Sequence, residues 1–329
     1  MYRNGPQAPT GPPQGMQQSH GMQFAYSNNS GRRKALFIGI NYIGTNNQLQ
    51  GCINDAYAMC RFVMQNWGYH EDDIVILTDD FHVHGNPRQM PTRQNMIQAM
   101  HWLVSGAQPN DSLIFHYSGH GATVKDQDGD EDNGLDETIC PLDFASAGMI
   151  VDDEINAIMV QTLPPGCRLT GFFDSCHSGS AMDLPYTYST KGVVKEPNMY
   201  KDLGKGALGA VMNYERGDIF GTLTSLGGAA SRMMTGNKAS NYTKKHRSSP
   251  ADVISLSGCK DDQTSADAAQ GNTNAGAMSY SFLTVMSQNP NQSYLTLLQN
   301  LRAVMAGQFH QRPQLSCSHP LDVNLRFIL

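Results

Sequence analysis

Residues 113–121 read LIFHYSGHG and residues 169–180 read LTGFFDSCHSGS. Each is a short apolar run ending in a polar, glycine-containing turn. An unbroken apolar run of this length suits a strand buried on both faces, as in a parallel sheet covered by helices. The same pattern appears at residues 35–40 (ALFIGI), 74–77 (IVIL) and 253–256 (VISL). Between these runs, helical spacing is found at about 54–66, 92–104, 152–160 and 279–286. Pro91 marks the start of the second helix and Thr92 supplies its cap. Buried strands alternating with helices predict an α/β fold with a mostly parallel central sheet and helices on both faces. The alternating tail at 323–328 (VNLRFI) suits an edge strand.

Composition divides the 329-residue chain in two. Residues 1–33 open with a Gln/Pro/Gly-rich leader whose low apolar content cannot offset the entropy of ordering, so it is expected to be disordered. Residues 34–329 carry the folded part. No run of about 18 apolar residues is present, which gives no reason to expect a membrane helix. A formal net charge of −6 gives none to expect nucleic-acid binding. Seven dispersed cysteines without paired spacing suggest free thiols in a reducing compartment. With neither a secretory signal nor a transit peptide recognisable, a cytoplasmic location with access to the nucleus is expected.

In open α/β sheets, functional groups gather beyond the carboxyl ends of the strands. Two such ends carry His120 and Cys176. Neighbouring parallel strands would bring thiol and imidazole together, the minimum for nucleophilic catalysis by cysteine. His120 is then the base that takes the thiol proton and later protonates the leaving amine. The backbone N–H groups of Gly121 and Cys176 are the expected oxyanion donors. His177 is a weaker candidate base, since adjacent residues of an extended chain face opposite ways.

The same alternation places Asp174 on the side of Cys176, and Ser118 on that of His120. A carboxylate beside the nucleophile does not help form a thiolate; it makes sense if it holds a substrate cation. An acidic pocket for Lys or Arg is therefore expected, against the plainer reading that Asp174 caps the following helix.

HYSGHG around His120 and DSCHSG around Cys176 resemble the paired signatures of metacaspases, within the caspase-like clan of cysteine peptidases. GCINDA at 51–56 resembles a third block, and DLPYTYSTKG at 183–192 is similar to fungal type I members. The resemblance implies a caspase–haemoglobinase fold, cleavage of protein substrates after Arg or Lys, and a monomer rather than a caspase dimer. It maps pocket residues onto Cys52, Asp55, Ser118 and Asp174, and a calcium site onto Asp136, Asp152, Asp153 and Asp183. It also links the chain to cell death, stress response or protein quality control, the last open to a purely binding, non-catalytic scaffold.

Residues 126–137 hold a dense acidic run (DQDGDEDNGLDE), but an EF-hand loop needs Gly where Glu131 stands. Residues 219–251 contain no Asp or Glu and gather Lys238, Lys244, Lys245 and Arg247. Such a long loop is a solvated insertion, a binding site for an acidic partner, or a linker that the enzyme cuts itself. In the last case these four residues, with Arg33 and Lys34 at the leader junction, are the candidate cleavage points. A metal hydrolase built on His82, His84, His116 and His120 lacks HExxH, and a serine hydrolase lacks GxSxG.

Overall fold

A computed structural model describes residues 9–19, 21–80, 86–125, 135–175, 181–194, 247–258, 276–309 and 311–329. Its centre is a seven-stranded sheet built from β3 (Arg33–Gly39), β4 (Ile74–Thr78), β5 (Ser112–Ser118), β9 (Arg168–Asp174), β10 (Tyr186–Tyr188), β11 (Asp252–Ser257) and β12 (Gln314–Cys317). The strand order is β10-β12-β11-β9-β5-β3-β4. From β11 to β4 all neighbours are parallel, while β12 runs antiparallel to both its neighbours. Every apolar run singled out in the sequence is one of the parallel strands. The fold is therefore α/β with a mostly parallel sheet.

Alternate side chains of the strands feed two separate cores. Ala35, Phe37, Ile114, Phe172 and Ile254 face α1 (Cys52–Trp67), α5 (Ala277–Gln288) and α6 (Tyr294–Gln308). Leu36, Ile38, Phe115, Leu169 and Val253 face α2 (Arg93–Val104) and α4 (Asp152–Met159), with the one-turn α3 (Phe144–Ala147) beside them. Both faces are thus covered, which is why the strands read as continuous apolar runs. Thr92 caps α2 by accepting from the Asn95 N–H at 3.3 Å, as its sequence predicts. A small antiparallel sheet of β6 (Gly121–Lys125), β7 (Leu135–Ile139) and β8 (Ile150–Val151) extends from the end of β5.

Two expectations need correction. The leader is not wholly without structure: β1 (Met16–Ser19) and β2 (Met22–Ala25) pair as a hairpin, and Phe24 and Tyr26 are buried. The Phe24 ring stacks on His319 at 4.0 Å, and the Ser27 N–H donates to Asp252 at 2.9 Å. A few aromatic residues borrow a core formed by the rest of the chain, which average composition conceals. The tail at 323–328 makes only an isolated bridge, Arg326 with Ser293. Its alternation arises because Val323, Leu325 and Phe327 plug the core beneath α5 and α6, and the last strand is instead β12.

Candidate active site

Strands β5 and β9 are adjacent and parallel, with Ser118 opposite Asp174. The Gly119 N–H donates to the Asp174 carbonyl at 3.3 Å, so the two strand ends stay joined where the functional turns begin. Cys176 follows Ser175 in the chain; together with His177 it lies outside the described residues. Gly121 opens β6, paired with Ile139.

His120 is held from several sides. Its backbone N–H donates to the Tyr42 hydroxyl at 3.1 Å, and its carbonyl accepts from Tyr117 Oη at 2.7 Å and from the Cys140 N–H at 3.1 Å. The imidazole packs against the Tyr42 ring with centroids 4.7 Å apart. Its Nε2 lies 2.7 Å from the Asn47 carbonyl oxygen. A carbonyl only accepts, so Nε2 carries the proton and Nδ1 keeps a free lone pair in the neutral ring.

Behind this edge sits a buried pair of acids. Ser118 donates its hydroxyl to Asp55 Oδ2 at 3.0 Å, and the Gly276 N–H meets the same oxygen at 2.9 Å. Asp174 accepts from the Met278 N–H at 2.6 Å and the Ser279 N–H at 2.9 Å. Asp174 thus does cap a helix, the distant α5. Cys52, Asp55 and Ser118 are all buried. Burial first, and then the charge of Asp174, push the Asp55 carboxyl up to about 8. Burial also raises Asp174, against the pull of Ser279 and Met278. His116 is fully buried, hydrogen-bonded to Ser279 Oγ at 2.8 Å and 4.0 Å from Asp174. Burial pushes its imidazole down to about 3, so it is neutral and offers the acids no charge. Among the described residues, neither Asp55 nor Asp174 has a Lys or Arg partner.

Four further carboxylates gather around the start of α4. Asp136, Asp152 and Asp183 are buried. Asp152 accepts from the Glu137 N–H at 2.9 Å; burial, helped by Asp153 and Asp136, pushes its carboxyl up to about 8. Arg247 spans the group, its Nη2 on Asp153 and its Nε 2.6 Å from Asp183 Oδ2. Among the described residues no three His, Cys, Asp or Glu side chains are arranged to hold a metal ion. The four side chains are nonetheless all hard oxygen donors, the ligand chemistry a divalent ion takes, and the cation that now answers two of them is Arg247. Residues 126–134 of the acidic run, with His82 and His84, lie outside the described residues.

The basic residues separate in the same way. Lys238, Lys244 and Lys245 lie outside the described residues. Arg33 and Lys34 are part of β3, paired through to Ser112 and Leu113 of β5. The Lys34 ammonium sits 4.2 Å from the Trp102 ring centroid. A scissile segment must lie extended in another site, which a strand bonded inside a parallel sheet cannot do, so these two positions are poor cleavage points in the folded chain.

Asn47, Tyr42, Gly276 and Ser279 escaped the sequence reading. The first two act through a backbone carbonyl and a phenol in an ordinary polar loop. The others come from a helix start some 100 residues beyond Asp174, and no local spacing announces that contact.

Residues 33–185 match a family model described as metacaspase, peptidase C14 domain. A Yarrowia lipolytica protein named Metacaspase-1 is 58% identical over 97% of this chain and 69% of its own length. Metacaspase-1 of Botryotinia fuckeliana is 54% identical over 100% and 79%, and that of Schizosaccharomyces pombe 54% over 99% and 77%. A solved structure of a Geobacter sulfurreducens protein superposes with a TM-score of 0.54 at 22% identity, covering 91% of this chain and 98% of that one. That last likeness concerns the fold alone. The relatives carry the assignment: this chain belongs to the metacaspases, a family of cysteine-type endopeptidases acting on protein substrates.

Proposed function

We propose that the chain is a calcium-activated endopeptidase that cuts proteins after Arg or Lys through Cys176 and His120. The observation that carries the specificity is the buried Asp55–Asp174 pair, whose carboxyls burial raises and which has no cationic partner among the described residues. A guanidinium or ammonium from the substrate supplies that missing charge, and burial strengthens the attraction. An acidic side chain meets repulsion there, which disfavours cleavage after Asp.

In the reaction the Cys176 thiol gives its proton to His120 Nδ1, and the thiolate attacks the scissile carbonyl carbon. The tetrahedral oxyanion is met by the backbone N–H groups of Gly121 and Cys176. The imidazolium returns its proton to the leaving amine and the C–N bond breaks, leaving a thioester. Water, deprotonated by the same imidazole, releases the acid and regenerates the thiol. The Asn47 carbonyl keeps the ring in the tautomer this exchange needs.

Calcium, held by Asp136, Asp152, Asp153 and Asp183, would supply a charge that answers the carboxylates gathered at the start of α4. Arg247 now answers two of these carboxylates. A cation taking its place frees the basic loop end, which makes Arg247 a cleavage point available only after the ion has bound. The five described free thiols are all buried, in keeping with a reducing, cytoplasmic setting, and no described helix is long and apolar enough to cross a membrane.

Matched fluorogenic peptides ending in Arg, Lys or Asp, with and without calcium, test all of this on wild type and Cys176→Ala. Calcium-stimulated cleavage after Arg and Lys, lost in the variant, is expected. Cleavage after Asp overturns the pocket, and full activity in a chelated assay overturns the activator.

A further inference from the structure

The loop between β3 and α1 carries two groups that touch the His120 ring, Tyr42 and the Asn47 carbonyl. Tyr42 adopts φ 51°, a left-handed conformation that a bulky residue keeps only when its surroundings impose it. While the Tyr42 hydroxyl donates to the Cys140 carbonyl at 2.6 Å, the backbone on either side of this residue is held by Asp79, just beyond the end of β4 and 1% exposed. Its Oδ1 accepts from the Asn41 N–H at 2.8 Å and its Oδ2 from the Ile43 N–H at 3.0 Å. The two bonds bracket Tyr42. Further along, the Leu49 N–H donates to the Asn41 carbonyl at 2.7 Å, closing the loop on the same anchor.

We propose that Asp79 is a positioning residue for the catalytic base, acting through this loop. A carboxylate is the one short side chain with two acceptor oxygens, so it alone can take both N–H groups around the strained residue. With them held, Tyr42 stays against the imidazole and Asn47 stays opposite Nε2, which leaves Nδ1 as the proton acceptor. Asp79 reaches neither substrate nor thiol. Its influence is on the tautomer and aim of His120, so the inference rests on His120 being the base.

The test is Asp79→Asn in the full chain, which keeps one acceptor and presents a donor to the other N–H. Expected is a fall in kcat of about 10- to 100-fold on an Arg peptide with KM changed by less than about 2-fold, the usual cost of a misaimed catalytic group. Alkylation of Cys176 by iodoacetamide should also lose its low-pH component and move toward the ordinary thiol range near 8.5. Asp79→Glu, which retains both acceptors, should recover part of both readouts, and it carries the test if the Asn variant does not fold. Asp80→Asn, which alters a neighbouring carboxylate bonded to Tyr57 Oη, should leave both unchanged. An unchanged kcat and alkylation profile in Asp79→Asn, or lower activity with an unchanged profile, overturns the proposal. If His120→Ala keeps wild-type activity, the assignment of the base itself has failed.

Discussion

The Ser118 hydroxyl donates to Asp55 Oδ2 at 3.0 Å, joining residues 63 positions apart. The Gly276 N–H reaches the same oxygen, so one atom of Asp55 ties β5, α1 and the start of α5 together. An Asn at this position can present its carbonyl oxygen to both donors, which separates the charge of Asp55 from its geometry. Asp55→Asn should lower kcat/KM on Arg and Lys peptides by about 100-fold, the scale for losing one partner of a buried ionic contact. Steady-state kinetics with Arg, Lys and neutral peptides check this; equal losses on all three would remove Asp55 from the specificity site.

The same substitution should raise stability at alkaline pH. Asp55 titrates near 8 when folded and at about 3.9 when unfolded. Between those values the folded chain holds a proton that the unfolded chain has released. The contribution is therefore fully present below about pH 4 and lost as pH rises through about 8. Asn has no proton to lose, so Asp55→Asn should gain on wild type by roughly 5–10 °C in Tm as pH goes from 4 to 9. Thermal melts in a Cys176→Ala background exclude self-digestion; a difference independent of pH would refute the raised carboxyl.

Gly276 is required by its neighbour. A Cβ there would lie 2.3 Å from Asp174 Cγ, while Asp174 is held in place by the Met278 and Ser279 N–H groups. Gly276→Ala should push the carboxylate aside, raising KM for Arg peptides by about 10-fold or more, as overpacking a filled site does. Iodoacetamide alkylation of Cys176, two residues beyond Asp174, should change less than KM, because its base His120 stands on the neighbouring turn. Loss of alkylation as well would mean that the two turns move as one.

How far these features are readable from the chain depends on whether the signal is local. The strand ends bearing His120 and Cys176, and the alternation that puts Asp174 on the side of Cys176 and Ser118 on that of His120, are set by neighbours in sequence. The register that sets Ser118 opposite Asp174 is instead a pairing between strands that no local spacing carries. Gly276 and Ser279 reach Asp174 only because α5 packs across β9. Asn47 contributes a backbone carbonyl, which every residue possesses, so its identity marks nothing. The hairpin of β1 and β2 is hidden for a thermodynamic reason, since its aromatic residues gain burial only from a core made elsewhere.

Arg247 and a divalent cation should compete for the same oxygens. The guanidinium bridges Asp153 and Asp183, and any ion entering between them must displace it. Arg247→Gln should tighten calcium binding roughly tenfold, equivalent to about 1.4 kcal/mol. Titration calorimetry in the Cys176→Ala background measures this without turnover. Equal or weaker binding would mean that the ion, if it binds, does so without moving Arg247.

The strongest effect on folding should come from a site remote from the chemistry. Arg168 and Asp252 are both fully buried, joined at 2.8 Å and 3.1 Å, with His319 3.2 Å from the other carboxylate oxygen. Burial alone would raise the Asp252 carboxyl, but Arg168 and then His319 outweigh it and hold it below the usual range. Its stabilisation is therefore present above about pH 4 and is lost as pH falls through its depressed folded value. Asp252→Asn leaves the buried guanidinium without its counter-charge, with the Tyr294 hydroxyl 2.5 Å away and a neutral amide oxygen as its acceptors, and should cost about 3–5 kcal/mol in denaturant unfolding at neutral pH. Replacing both members by apolar side chains of similar volume should cost far less, since no charge is then left unpaired. Asp252 also accepts the Ser27 N–H, and His319 carries the Phe24 ring. The single variant should therefore expose the N-terminal segment to added chymotrypsin, which cuts after Phe24 and Tyr26, before the sheet unfolds. Protection of that segment equal to wild type would show that Phe24 and Tyr26 hold it without the ionic network.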